Sequence, residues 1–112
     1  MKNFNSGDII WIDLDPQKEH EQKGRRPVLI KWGQKALDFM PGMAQVCPIS
    51  NTDNGFPFHL SLDGECNCTK GFILCEQNKV LDLKARNAEY KDHISQNLLD
   101  SVRNALLVMY ED

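Results

Sequence analysis

Residues 20–30 read HEQKGRRPVLI, and the two halves of this stretch differ sharply. The first half carries a histidine, a glutamate and two adjacent arginines, which are the side chains needed to handle a phosphodiester. The second half, residues 27–30, is apolar and suited only to burial. A loop of acid and base groups leading into a core strand is a common way for a rigid scaffold to present chemistry. We therefore predict a functional loop over 17–26 and a strand over 27–32.

Short apolar segments bounded by turn residues lie on both sides of this stretch. Residues 7–15 are almost continuously apolar, which predicts a strand covered on both faces. Pro48 lacks a backbone N–H, so its own strand should lie at a sheet edge or contain a bulge. Further strands are predicted over 44–50, 56–62, 71–76 and 80–83, with connections over 33–42, 51–55, 66–70 and 84–87.

The hydrophobic period changes after Ile94, where Ser95 is a suitable N-cap for a helix. Beyond it, apolar residues recur at steps of three and four: Leu98, Leu99, Val102, Leu106 and Met109. Several strands followed by one helix, without βαβ alternation, indicate a mainly β fold with a C-terminal α-helix. At 112 residues we expect a small SH3-like antiparallel barrel that forms a single domain over 1–112.

The charge is unevenly distributed. The net charge is −3, yet six basic residues lie between positions 18 and 35, opposed there only by Glu19 and Glu21. Such a local positive patch suits a short nucleic-acid segment or an acidic peptide better than long duplex DNA. No apolar run reaches the roughly 20 residues of a membrane-spanning helix. The N-terminus lacks a signal-peptide pattern, so we expect a cytoplasmic protein without a membrane partner.

The four cysteines predict neither disulfides nor a metal site. Cys66 and Cys68 are too close in sequence for an unstrained bridge, and no pair of CxxC motifs has metal-ligand spacing. Cys47 and Cys75 lie in apolar runs, where a free thiol behaves as a small core residue. We expect reduced, structural cysteines, and no metal or other cofactor.

Several short motifs resemble those of the MazF/PemK/Kid family of bacterial toxins, and the similarity extends over nearly the whole chain. The GDIIW opening at 7–11 and the EQKGRRPVL loop at 21–29 are specific in their order and separation. A histidine before the glutamate is a feature of the Kid/PemK branch. Shorter matching pieces are DP at 15–16, PIS at 48–50, SLDG at 61–64, CEQ at 75–77 and LKARN at 83–87.

This resemblance implies an SH3-like barrel that forms a homodimer and acts as an endoribonuclease. Members of the family cleave single-stranded RNA, including mRNA, at short sequences without a metal ion. The products carry a 2′,3′-cyclic phosphate and a 5′-hydroxyl. A cognate antitoxin would neutralise the enzyme by laying its C-terminal segment over the RNA groove, and contact with DNA would arise only through that antitoxin.

Cleavage by the 2′-hydroxyl of RNA requires a base, an acid and donors that hold the added negative charge. Arg26 precedes a proline and is therefore held in an extended backbone, from which its guanidinium can grip a phosphate bidentately. Because arginine keeps its proton throughout the physiological pH range, we predict charge stabilisation rather than proton donation. Glu21 and Glu76 are both candidate bases, or structural partners of the arginines, and His20 could serve as acid or base.

The resemblance also assigns supporting roles. Ser50 stands where the family usually has threonine, and its hydroxyl should contact the scissile phosphate. The predicted RNA-binding residues are Lys23, Arg25, Phe56, Gln77 and Arg86: Phe56 for base stacking, Gln77 for base recognition, and Arg86 for either a phosphate contact or a turn. One departure concerns Leu74, which replaces an arginine that acts as the acid in the Kid branch. Without that arginine, we expect the 20–26 loop to supply the cationic and proton-donating groups of the reaction.

Two other functions fit the same barrel, since fold alone does not determine function. One is a non-catalytic toxin that poisons a protein target such as gyrase, and the other is an inactive module that only binds an antitoxin. The combination of His20, Glu21, Arg26, Ser50 and Glu76 favours the ribonuclease.

Overall fold

The computed structural model describes residues 4–13, 24–52, 55–65 and 69–112. Within them, the chain forms seven strands, two helices and one 3₁₀ turn. The strands are β1 (Asp8–Asp13), β2 (Arg25–Ile30), β3 (Met43–Ser50), β4 (His59–Ser61), β5 (Phe72–Leu74), β6 (Lys79–Asp82) and β7 (Glu89–His93). The helices are α1 (Gln34–Phe39) and α2 (Gln96–Val108), and the 3₁₀ turn is Cys75–Gln77.

The strands are paired antiparallel in the order β4-β5-β3-β2-β1-β7, and β6 also pairs with β3. The predicted mainly β fold with a C-terminal helix is therefore confirmed. Between the described residues of the outer strands β4 and β7 no pairing closes the sheet, so the barrel is open there. Neither helix in the described ranges has the length and apolarity needed to cross a bilayer.

One edge of β3 is paired with a strand that is interrupted. Val46 pairs with Lys79 of β6, whereas Ile49 pairs with Ile73 of β5, so the five residues 74–78 face only the two residues 47–48. The Gln45 carbonyl faces β2, and alternation along the strand therefore turns the Pro48 nitrogen toward the interruption. Proline has no N–H to leave unpaired there, which agrees with the expectation that Pro48 lies at a sheet edge or a bulge.

Two hydrophobic clusters cover the two faces of the sheet. Ile9 packs into the cluster under α2, while Ile10 and Ile12 pack into the opposite cluster with Leu37 of α1, so β1 is covered on both faces as predicted. The buried residues of α2 are Leu98, Leu99, Val102 and Leu106. Cys47 and Cys75 lie in the α2 cluster as buried free thiols, as expected from sequence. Cys66 and Cys68 lie outside the described residues.

The helix α2 begins where the sequence predicts. The Ser95 hydroxyl accepts a hydrogen bond from the Leu98 N–H at 3.1 Å and thus satisfies one of the free donors of the first turn. The remaining apolar residues of the stripe, Ala105 and Met109, pack against the same cluster at its edge. The C-terminal helix is therefore confirmed.

Several predicted bounds and elements differ from those of the structure; the strand predicted over 56–62, for example, forms only over His59–Ser61. The predicted loop over 17–26 is wrong at its end, because Arg25 and Arg26 pair with Asp13 and Ile12 and so belong to β2. The connection over 33–42 contains α1, which buries only Leu37 and thus carries little periodic signal. β7 was not predicted, since four of its five residues are polar. The predicted strand over 71–76 ends at residue 74, where the 3₁₀ turn begins.

Candidate active site

A groove of about 560 Å³ is formed by β1, β2, β3, β5 and β6 together with the turn that carries Arg86. Strand residues such as Val28, Val46 and Leu81 supply its apolar lining. Its polar lining consists of Arg26, Ser50, Asn51, Thr52, Lys70, Lys79 and Arg86. The interrupted edge of β3 thus forms part of this groove.

The described polar lining is strongly basic. Arg26, Lys70, Lys79 and Arg86 are cationic, and no described lining residue carries a carboxylate. The chain as a whole has a net charge of −3, so the positive charge of the groove is local. Guanidinium and ammonium groups gathered in this way bind phosphate oxygens through charge-assisted hydrogen bonds. The groove is therefore suited to a polyanion narrow enough to enter it.

Two predicted site residues, Arg26 and Ser50, meet in this groove. Arg26 lies opposite Ile12 in the β1–β2 ladder, and Pro27 keeps its backbone extended while its side chain is exposed. The Ser50 hydroxyl accepts a hydrogen bond from the Thr52 N–H at 3.1 Å, which fixes its orientation at the end of β3. A guanidinium and a hydroxyl are thus held on neighbouring strands facing one ligand site.

The approach of β5 to Ser50 depends on Gly71. This glycine has φ +116°, and a Cβ added to it would lie 2.6 Å from the Ser50 carbonyl oxygen. Real Cβ atoms do not approach an oxygen so closely, so a larger residue would push β5 away from the end of β3. The glycine therefore contributes to the shape of the groove.

Arg25 points away from the groove lining and braces the barrel. Its guanidinium donates to Asp13 Oδ1 at 2.8 Å, to Glu89 Oε1 at 2.8 Å and to the Asn87 carbonyl at 2.8 Å. Hydrogen bonds from the Asn87 side-chain amide and from Arg25, together with the charges of Arg25 and Arg86, hold the pKa of Asp13 below its usual range against the opposing effect of burial. RNA binding by Arg25 stays a prediction, and its observed contacts join β1, β2 and β7.

Arg86 was predicted either to contact phosphate or to hold a turn, and its position suits both roles. Its Nη1 donates to the Asp13 carbonyl at 3.0 Å, so it braces the turn, and it also lines the groove. The contact with phosphate stays a prediction. The bracing bond limits the positions that the guanidinium can reach.

Two lysines of the groove were missed from the sequence. Lys79 lies two residues before Leu81, which is buried and lines the groove, so period-two alternation along β6 was the available signal. Lys70 follows Thr69, whose N–H and hydroxyl both bond to Asp92 Oδ2 at 3.1 Å. No local sequence pattern predicts the position of Lys70, because the hydrogen bonds that hold Thr69 beside it are made to Asp92 of β7.

Glu76, Gln77 and Phe56 form a separate group that does not line the groove. The side chain of Glu76 accepts a hydrogen bond from His59 Nε2 at 2.8 Å, and Gln77 Nε2 approaches the same oxygen at 3.4 Å. Burial raises the pKa of the Glu76 carboxyl, but hydrogen bonds from His59, from its own backbone N–H and from Gln77, together with the charge of His59, outweigh it, and the net pKa is lowered. The ring of Phe56 packs on His59 at 5.2 Å.

Alternation of Phe58, Leu60 and Leu62 along the predicted strand would place His59 on its solvent face, and this expectation is wrong. Its side chain is only 1% exposed, because the 3₁₀ turn Cys75–Gln77 covers that face of the short strand. The predicted pairing of Glu76 with Arg25 or Arg26 is not found among the described contacts either, since His59 occupies its carboxylate. Of the other predicted residues, His20, Glu21 and Lys23 lie outside the described residues.

Comparison with known proteins assigns the family. The family model described as the PemK-like, MazF-like toxin of type II toxin–antitoxin systems matches residues 5–110. The chain belongs to the PemK-like, MazF-like toxin family. The chain is 32% identical to the endoribonuclease PemK of Escherichia coli over 107 residues, which cover 93% of this chain and 80% of PemK. It is 30% identical to the endoribonuclease toxin MazF of E. coli K12, over 92% of this chain and 90% of MazF.

Solved structures agree with this membership of the PemK-like, MazF-like family. A crystal structure of MazF from Deinococcus radiodurans superposes with a TM-score of 0.80 at 29% identity and covers 97% of both chains. A MazE–MazF crystal structure from the same organism has a TM-score of 0.79 at 24% identity and covers both chains completely, which shows the shared fold.

Proposed function

We propose that this protein is an endoribonuclease toxin that cleaves single-stranded RNA at short sequences. In this proposal the 2′-hydroxyl of the RNA attacks the adjacent phosphate without a metal ion, and the products carry a 2′,3′-cyclic phosphate and a 5′-hydroxyl. The toxin acts on messenger RNA in the cytoplasm. The observation that carries the proposal is the basic groove in which Arg26 and Ser50 lie together without a described carboxylate.

Each step of the reaction requires a defined group. Arg26 stabilises the negative charge that develops on the phosphate, and the Ser50 hydroxyl donates to one of its oxygens. The base takes the 2′ proton, and Glu21 and Glu76 remain the candidates. The hydrogen bond between His59 and Glu76 favours Glu21, with His20 as the second proton carrier, because it engages the Glu76 carboxylate outside the groove.

The proposed partners follow from the same groove. An antitoxin would lay an acidic C-terminal segment over the four cations and block entry of RNA, and any contact with DNA would be made by the antitoxin. The MazE–MazF complex of similar fold and the positive charge of the groove support this arrangement. We also propose that the toxin works as a homodimer, as the family resemblance implies.

The test is cleavage of a defined RNA by the purified protein in the presence of EDTA, with both ends mapped. We expect 2′,3′-cyclic phosphate and 5′-hydroxyl ends. Arg26→Ala should lower kcat by about 100-fold or more, since it removes a donor to the transition state. Arg26→Lys should retain part of the rate, and Lys35→Ala on the exposed face of α1 should match the wild type.

Two outcomes would contradict the proposal. A folded protein that cuts no RNA at any concentration would favour the non-catalytic toxin or the antitoxin-binding module. An Arg26→Ala variant that cuts at the wild-type rate would leave the activity in place but refute this site.

A further inference from the structure

Four side chains form a continuous contact chain beside the groove, and we call them the His59 cluster: Phe56, His59, Glu76 and Gln77. The Phe56 and His59 rings lie 5.2 Å apart at an interplanar angle of 49°. His59 donates to Glu76 at 2.8 Å, and Gln77 approaches the same Glu76 oxygen at 3.4 Å. The His59 side chain is buried, at 1% exposure, and that of Glu76 is partly buried, at 28% exposure.

The two ends of the His59 cluster face solvent. Phe56 is 53% exposed, and Gln77 is exposed as well. The His59–Glu76 pair thus carries an aromatic face at one end and a side-chain amide at the other. An aromatic face and an amide edge are the two elements by which proteins bind an unstacked nucleobase.

The backbone holds the cluster close to the cationic groove. His59 is the cross-strand partner of Leu74, and Leu74 lines the groove. The Cys75 N–H donates to the Phe58 carbonyl at 3.2 Å, so the 3₁₀ turn is fixed to the start of β4. Lys79, which follows the turn, lines the groove too. A nucleotide whose phosphate lies among the cations can therefore place its base toward the cluster.

We propose that His59 is a positioning residue for a nucleobase subsite, in which Phe56 stacks on one base of the RNA and Gln77 contacts its edge. His59 does not touch the base itself. It supports the Phe56 ring directly, and through Glu76 it fixes the orientation of the Gln77 amide. This inference rests on the proposed ribonuclease function and adds the element that selects one base of the cleaved sequence.

The experiment compares wild type, His59→Leu and His59→Gln on a library of RNA with randomised sequence and on the single best substrate. Leucine fills the volume but cannot donate to Glu76, whereas glutamine keeps a donor. We expect His59→Leu to raise KM about tenfold and to lose the preference at one base position, because one stacked base contributes about this much binding. His59→Gln should recover part of both effects, and kcat should change by less than about threefold.

His93→Leu is the matched control. His93 also bonds to a carboxylate, Asp8, at 2.8 Å, and neither residue lines the groove. Its loss should leave KM and base preference unchanged, so a general effect of removing a histidine–carboxylate pair is separated from a loss of the subsite. Thermal unfolding of each variant reports the structural effect by itself.

Several results would overturn the inference. His59→Leu could retain the wild-type base preference, or it could lower kcat alone, which would assign the pair to proton transfer. It could instead weaken only the binding of an acidic, apolar peptide, which would assign the cluster to a protein partner. If His59→Leu does not fold, then Phe56→Leu and Gln77→Ala must alter the preference at one and the same base position, and failure to do so refutes the subsite. Wild-type cleavage of the same library separately tests the proposed function.

Discussion

Substitution of Gly71 by alanine should destabilise the protein through the contact between the start of β5 and the end of β3. At φ +116° an alanine is strained, which costs about 1–3 kcal/mol. Its Cβ would also lie 2.6 Å from the Ser50 carbonyl oxygen and 3.2 Å from the carbonyl carbon, and both atoms are backbone that cannot rotate away. The shift needed to relieve that contact adds about 1–2 kcal/mol.

The total of about 2–5 kcal/mol is a large part of the roughly 5–15 kcal/mol that typically stabilises a domain. Urea unfolding followed by tryptophan fluorescence would measure it as a lower midpoint at an unchanged slope. Thermal unfolding should show a fall in Tm of about 10–20 °C. The groove should respond as well, because Ser50 contacts the displaced segment, so cleavage of RNA should slow under conditions where the variant is folded.

Gly64→Ala provides the matched control. Gly64 also has a positive φ, +73°, but nothing lies within 4 Å of the position of its Cβ. It should lose only about 1 kcal/mol, the cost of the left-handed backbone alone. Both variants reduce the entropy of the unfolded chain equally, so this effect cancels in the comparison. If Gly71→Ala is no less stable than Gly64→Ala, the close approach to Ser50 is not a tight contact and the reasoning is wrong.

Two further predictions concern charge. Lys79→Gln should lower the slope of log Kd against log salt by about 0.7, measured with an RNA blocked at its scissile 2′-hydroxyl, because one phosphate contact is lost. Lys35→Gln, on the exposed face of α1 and outside the groove lining, should leave the slope unchanged, and equal slopes for both variants would exclude Lys79 from the contact. The pKa of Glu76 is lowered in the folded state, so its contribution to the free energy of unfolding is present above its ordinary pKa of 4.5 and is lost as the pH falls below it. Urea unfolding between pH 6 and pH 3 should therefore show a smaller loss for Glu76→Gln than for the wild type, and parallel losses would contradict the pKa shift.

The parts of the fold that the sequence predicts are those where burial repeats with a regular period. The helix α2 combines a capping serine with five apolar positions on one face, and β1 has apolar residues on both faces. By contrast, α1 and β7 each bury a single side chain, Leu37 and Asp92, so their patterns are too weak to recognise. Their conformations are fixed by contacts with distant strands, which local sequence does not encode.

The candidate site was predictable to a similar extent. The proline after Arg26 indicates this residue, and the end of a strand together with the surrounding motif indicates Ser50. The partner of Glu76 is not predictable from sequence, because β4 and the 3₁₀ turn are brought together by the pairing of β4 with β5. His59 lies 17 residues from Glu76 in the chain. Alternation assigns it to solvent, since a period-two pattern contains no information about an element that covers the strand from outside.

The interrupted edge of β3 determines which kinds of sequence change the protein can tolerate. Residues 74–78 face only residues 47–48, and within this segment substitution is restricted at the buried Leu74 and Cys75 and less restricted at the exposed Gln77. The number of residues in this segment is also constrained. Removal of one residue would shift β6 along β3 by one position and turn Leu81 outward and Val80 inward, and it would withdraw Lys79 from the groove. Relatives with the same groove should therefore differ here by substitution, and insertions or deletions should collect in the exposed turns instead.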